Sequence, residues 1–139
     1  MIFTSALYVN HIDHCDYVVL NLSCPNVNDT SKIWNDLSIY CSSNKRQWCI
    51  AKVSPLILPE QLEYLIENLG FNQIHLCNTL PIDERGGISG PILKPYVFKL
   101  IKLIRDRWGD DLELIAGGGI QKIEDVNDYL SAGANHISL

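Results

Sequence analysis

Short apolar runs recur along the chain at 17–22, 48–53, 74–77, 112–116 and 136–139, and each of the first four is followed by polar or glycine residues. Runs of this length without strict alternation are typical of strands buried on both faces. The stretches between them carry helical spacing instead. After Pro59, Leu62, Leu65, Ile66 and Leu69 fall at i, i+3, i+4 and i+7, and Gly70 is placed to end that helix in the left-handed conformation. Val97, Leu100, Ile101, Ile104 and Trp108 share one face of a second helix, which predicts Lys99, Lys102 and Arg105 on its outer side. A third helix is expected over about 123–131. A shorter one is expected from the N-cap candidates Asp29, Thr30 and Ser31 through Ile33, Trp34, Leu37 and Tyr40.

Five strands alternating with helices predict an α/β domain over residues 1–139, with parallel strands joined by helical crossovers. A doubly wound sheet and a segment of a (β/α)8 barrel both satisfy that order. Both also place ligands at the carboxyl ends of the strands. The distinctive polar residues of this chain lie at those ends. Asn21 and Cys24 follow the first run, Lys52 is near the end of the second, Asn78-Thr79 follow the third and Gly117-Gly118-Gly119 the fourth. Structural polar residues scattered at random would not favour one edge of a sheet.

Bulk properties narrow the class. A net charge of −5 over 139 residues is the wrong sign for a nucleic-acid footprint. No apolar run approaches the roughly 18 residues of a membrane span, and Met1-Ile2-Phe3 lacks the basic start of a secretory signal. The five cysteines are odd in number and form no C-x-x-C pair, so neither a disulfide framework nor a zinc cluster is expected. A reducing, cytoplasmic setting and no metal site follow as expectations. Cys49 and Cys77, inside apolar runs, read as packing residues. His11 and His14 lack a third ligand and read as a solvated helix face.

Each strand end suggests chemistry. In Asn21-Leu22-Ser23-Cys24-Pro25-Asn26, two carboxamides offer donors and acceptors to a planar ligand with amide and carbonyl edges. Cys24 between them suits a general base, because a thiol ionises near 8.5 and a modest shift yields thiolate at neutral pH. A nucleophile would want a histidine partner, and only His75 lies near a neighbouring strand end. Lys52 closes an apolar strand, where a lysine either snorkels or faces an anion. The three glycines before a helix would let backbone N–H groups approach a phosphate, although a tight turn explains them equally well.

Taken together these residues resemble the dihydroorotate dehydrogenase family. Asn21-Leu22-Ser23-Cys24-Pro25-Asn26-Val27 is similar to its active-site loop in the cysteine-bearing class 1 form. Gly87-Ile88-Ser89-Gly90-Pro91 with Lys94-Pro95 is similar to its GG-[LI]-SG segment, and the resemblance runs in order from about residue 11 to the end. It implies the second half of a TIM (β/α)8 barrel, about strands four to eight. It also implies FMN as cofactor and oxidation of dihydroorotate to orotate in pyrimidine synthesis. By the same resemblance Cys24 would take the C5 proton while hydride leaves C6 for the flavin. Asn21, Asn26, Asn78 and Thr79 would hold the substrate. Lys52, Cys77, Gly90, Gly118 and Gly119 would contact FMN, with Lys52 offsetting negative charge near N1.

The first half of such a barrel is not in this sequence, so a fragment is expected, with that half as partner. A homodimer when complete, with an electron-transfer subunit, is the further expectation. Another FMN barrel oxidoreductase, such as a dihydropyrimidine dehydrogenase relative, and a non-catalytic half-barrel are the alternatives.

Overall fold

The structure, a computed structural model, describes residues 2–3, 17–22, 37, 48–76, 78–82 and 86–139. In chain order its elements are β1 (Ile2–Phe3), β2 (Tyr17–Asn21), β3 (Trp48–Val53) and α1 (Pro59–Glu63), which continues as a π-helical turn (Tyr64–Asn68). Then come β4 (Gln73–Leu76), β5 (Leu80–Ile82), β6 (Gly86–Ile88) and a 3-10 turn (Pro91–Leu93) that runs into α2 (Lys94–Trp108). β7 (Glu113–Gly117), α3 (Ile123–Ser131) and β8 (His136–Ser138) complete the order.

Six of these strands form one sheet in the order β1-β2-β3-β4-β7-β8, every neighbouring pair parallel. That order decides between the two topologies open to the sequence. A doubly wound sheet reverses direction near its middle, whereas a barrel adds each new strand to the same growing edge. Here the strands join in chain order, so the sheet is an arc of a (β/α)8 barrel.

Strand residues alternate between the two faces of the sheet. Val18 and Leu20 of β2, Ala51 and Val53 of β3, Ile74 and Leu76 of β4, and Leu114 and Ala116 of β7 are buried against the helices. From the helical side come Leu62 and Leu65, then Val97, Ile101 and Ile104 of α2 and Tyr129 of α3, all fully buried. Each such side chain contributes about 1.5–3 kcal/mol by leaving water. The other face carries Val19, Asn21, Ile50, Lys52, Gln73, His75, Glu113, Ile115 and His136, which is the side a closed barrel would turn inward.

Four features depart from the sequence expectation. The sheet has a sixth strand, β1, whose two residues pair with Val19 and Leu20. The stretch after Thr79, where the sequence shows no strand pattern, holds an antiparallel hairpin, with Leu80 opposite Ile88 and Ile82 opposite Gly86. The Pro59 helix widens into a π turn in which Leu69 N–H donates to Tyr64 O at 3.1 Å, and Gly70 then ends it at φ 72°. Arg105, expected on the outer side of α2, is instead half-buried. Its guanidinium donates to the carbonyls of Gly133, Gly109 and Leu112 and to Asn135 Oδ1, at 2.7 to 2.9 Å. The expected helix around Ile33 and Trp34 lies outside the described residues, apart from a buried Leu37.

Candidate functional site

Parallel pairing sets Asn21 beside Lys52, Lys52 beside His75, His75 beside Ile115 and Ile115 beside His136. Paired residues on adjacent strands point to the same face. Asn21, Lys52 and His75 therefore stand side by side on the inward face near the strand ends. Lys52 and His75 are both partly exposed there. Asn78 joins them from beyond β4, its Nδ2 donating to Asn21 Oδ1 at 3.0 Å. The Asn78 Oδ1 accepts from Thr79 N–H at 2.9 Å, which fixes the orientation of the amide. Asn21 and Asn78, which the sequence puts at two different strand ends, are thus brought together from positions 57 residues apart.

In the sequence His75 stands out only as the one histidine near a neighbouring strand end. Its Nε2 is buried and has no hydrogen-bond partner among the described residues, and the same holds for Gln73 Oε1 one layer deeper. Burial, with the Lys52 cation beside it, pulls the imidazole down to about 4. His75 is therefore neutral at physiological pH and offers one N–H and one lone pair.

The glycine turn after β7 is the second part of the site. Gly118 and Gly119 adopt φ 89° and 73°, a conformation that side-chain-bearing residues rarely take. A Cβ on Gly119 would lie 2.7 Å from both Gly90 O and Pro91 Cα, so the turn closes directly on the segment that opens α2. Gly90 itself, at φ 101°, caps the 3-10 turn through its carbonyl, which accepts from Leu93 N–H at 3.0 Å. Tyr129, buried and stacked on Phe98 at 4.7 Å, donates its hydroxyl to Gly118 O at 2.8 Å. Gly87 packs where any Cβ would collide with the Thr79 side chain, and this joins the hairpin to the Asn78-Thr79 strand end.

Asp125 supplies a link that the sequence did not reveal. Its carboxylate is buried and pairs with Lys94 of α2, while its Oδ2 accepts from Gln121 N–H at 2.8 Å and Lys122 N–H at 3.1 Å. Lys94 first, then the Gln121 N–H, holds the carboxyl at about 2. The N–H groups of the two residues that lead into α3 are thus committed to the protein's own anion. The glycine backbone remains as the part of the expected phosphate cradle that can approach a ligand. The only hint of Asp125 in the sequence is an acidic residue in the first turn of a helix.

Of the residues picked out by sequence, Asn21, Lys52, Asn78 and Thr79 gather at the ends of neighbouring strands, and Gly90, Gly118 and Gly119 meet at the β7 turn. Cys24, Asn26 and Cys77 lie outside the described residues. Among the described residues no cluster of three or more His, Cys, Asp or Glu could hold a metal ion. No described helix is long and apolar enough to cross a membrane.

The family model for dihydroorotate dehydrogenase matches residues 5–139. The catalytic subunit of the NAD(+)-linked dihydroorotate dehydrogenase B of Staphylococcus carnosus is 29% identical over 140 residues, spanning 86% of this chain and 45% of that protein. The quinone-linked dihydroorotate dehydrogenase of Legionella pneumophila is 29% identical over 150 residues, 88% of this chain and 45% of that one. A crystal structure of the Eimeria tenella DHODH in complex with ferulenol superposes with a TM-score of 0.72 at 21% identity, covering 90% of this chain and 44% of its own. The chain spans about half the length of the curated relatives it matches.

Proposed function

Because the chain belongs to the dihydroorotate dehydrogenase family, we propose that its inward strand ends form part of an FMN site that oxidises dihydroorotate to orotate, a step in making UMP. The observation that best supports this reading is the meeting of Asn21 and Asn78 beside Lys52. Together they offer paired carboxamides and one cation to a planar, carbonyl-rich ring. FMN fits the residues present: the side-chain-free turn at Gly118 and Gly119 against Gly90 would take the phosphate, while Lys52 and Cys77 would meet the ring. When bound, FMN supplies the acceptor for the hydride that leaves C6 of the substrate.

The chain's own residues do the remaining work. Asn21, Asn26, Asn78 and Thr79 bind the pyrimidine ring and its carboxylate and hold it in one orientation, which removes much of the entropic barrier to reaction. Cys24 as thiolate takes the C5 proton, and the electron pair left behind forms the C5–C6 double bond as hydride departs. Lys52 favours negative charge next to it and so draws electrons toward the cofactor side. The other half of the barrel closes the inward face, and the complete protein works as a homodimer, with an electron-transfer subunit in one branch of the family.

The test is anaerobic bleaching of the flavin band in the protein that carries this chain. Dihydroorotate is expected to reduce the flavin and dihydrouracil to leave it oxidised. The reverse preference would favour a dihydropyrimidine dehydrogenase relative. A purified protein that takes up no flavin would leave the barrel arc as a non-catalytic module.

A further inference from the structure

We propose that His75 is a cofactor-binding residue, a neutral imidazole whose Nε2–H donates to the electron-rich edge of the flavin ring beside Lys52. The inference rests on the FMN reading above and adds to it a contact that none of the sequence motifs contains. Strand pairing makes His75 the immediate neighbour of Lys52, in the same row and on the same inward face. Its Nε2 is buried without a hydrogen-bond partner among the described residues. A buried polar atom left unpaired costs about 1–3 kcal/mol, so a position that keeps one has a partner still to come.

Two candidate partners lie outside the chain, the opposite barrel wall and the ligand, and the layers separate them. Gln73 Oε1, also unpaired, lies in the deeper layer; Val19 pairs with Ile50 there, and an opposite wall is the natural source of a donor. His75 lies in the upper layer with Asn21 and Lys52, the row that meets Asn78 and faces the strand ends where barrels bind ligands. The neighbouring cation and the burial both keep the ring uncharged, so it can enter a site with Lys52 without adding a second positive charge. A neutral donor beside a cation suits a ring edge of carbonyl oxygens that gains negative charge when the ring accepts electrons.

The experiment titrates FMN into flavin-stripped protein carrying this chain, followed by fluorescence quenching, for the wild type, His75→Phe and His75→Gln. His75→Phe is expected to raise the FMN Kd roughly 3- to 10-fold, the worth of one hydrogen bond. It is also expected to lower the flavin reduction potential, while His75→Gln, which keeps a donor, recovers most of both. Thermal unfolding of the flavin-free forms runs in parallel. Wild-type Kd and potential in His75→Phe would overturn this proposal and leave the FMN reading intact. So would a Kd change that His75→Gln does not recover and that follows the loss of flavin-free stability, because the partner is then the opposite wall. Failure of the wild type itself to bind FMN would overturn both.

Discussion

Replacing Arg105 with methionine keeps most of the side-chain volume and removes five N–H donors, all of which are engaged by four acceptors. Those acceptors belong to the loop after α2 and to the loop between α3 and β8, so one guanidinium ties the base of the last two β/α units together. The bonds to Gly133 and Leu112 are partly buried, while those to Gly109 and Asn135 are open to water, which would replace the lost donor there. Hydrogen bonds to a charged group contribute about 1.5–3 kcal/mol each. Counting the two buried acceptors and allowing for partial hydration after the change, the loss is about 3 kcal/mol. For a domain of this size that corresponds to a Tm lower by roughly 10 °C. Arg105→Lys retains the charge but cannot match the planar fork, so it should recover less than half of the loss. Urea unfolding followed by circular dichroism gives both numbers. A loss below about 1 kcal/mol for Arg105→Met, or full recovery by lysine, would refute the clamp.

Asp125 makes stability depend on acid. Its carboxyl ionises at about 2 in the folded chain, against an ordinary value of 3.8, so the carboxylate's contribution is complete above pH about 4 and is lost as pH falls toward 2. Asp125→Asn or Lys94→Met should flatten that part of the stability profile, and a slope that persists unchanged in both would place its origin elsewhere. Cys24→Ala should retain FMN yet slow flavin bleaching by dihydroorotate by about two to four orders of magnitude, the usual worth of a general base. Reduction at the wild-type rate in stopped flow would remove Cys24 from the reaction.

The parts of the fold that were legible in the sequence are those with long hydrophobic patterns. The runs ending at Leu20, Val53, Leu76 and Ala116 are continuous because helices cover one face and the barrel interior the other. The α2 stripe of Val97, Leu100, Ile101 and Ile104 is buried as its spacing requires. β1 escaped because two residues cannot display a period. The hairpin escaped because Pro81, Gly86 and Gly87 are poor strand formers, and pairing across the turn sets its shape. Arg105 shows the limit of face-by-face reasoning: its Cα lies where the spacing puts it, but its long side chain reaches back to loop carbonyls that are distant in sequence.

The site divides along the same line. Asn21, Lys52 and Asn78 were legible because strand ends converge in any parallel β/α fold. The contact between Gly119 and Gly90 joins two motifs that looked independent. His75 and Asp125 were not legible, since an unpaired nitrogen or a buried ion pair exists only once neighbouring strands and helices are placed.

The strand order carries a consequence for how the chain comes to be folded. Within the six-stranded sheet each strand after the first docks on the sheet strand before it, so the chain emerging from a ribosome presents one fresh edge to the next of them, and no late segment has to insert between earlier ones. From β3 onward each addition spans a full β/α unit, and the loop-closure cost is met unit by unit rather than all at once. The carboxamide pair forms when β4 arrives, and the glycine turn meets Gly90 only after β7. The carboxamide pair therefore precedes the glycine turn in synthesis, and truncated products ending before Gly119 would carry the first without the second.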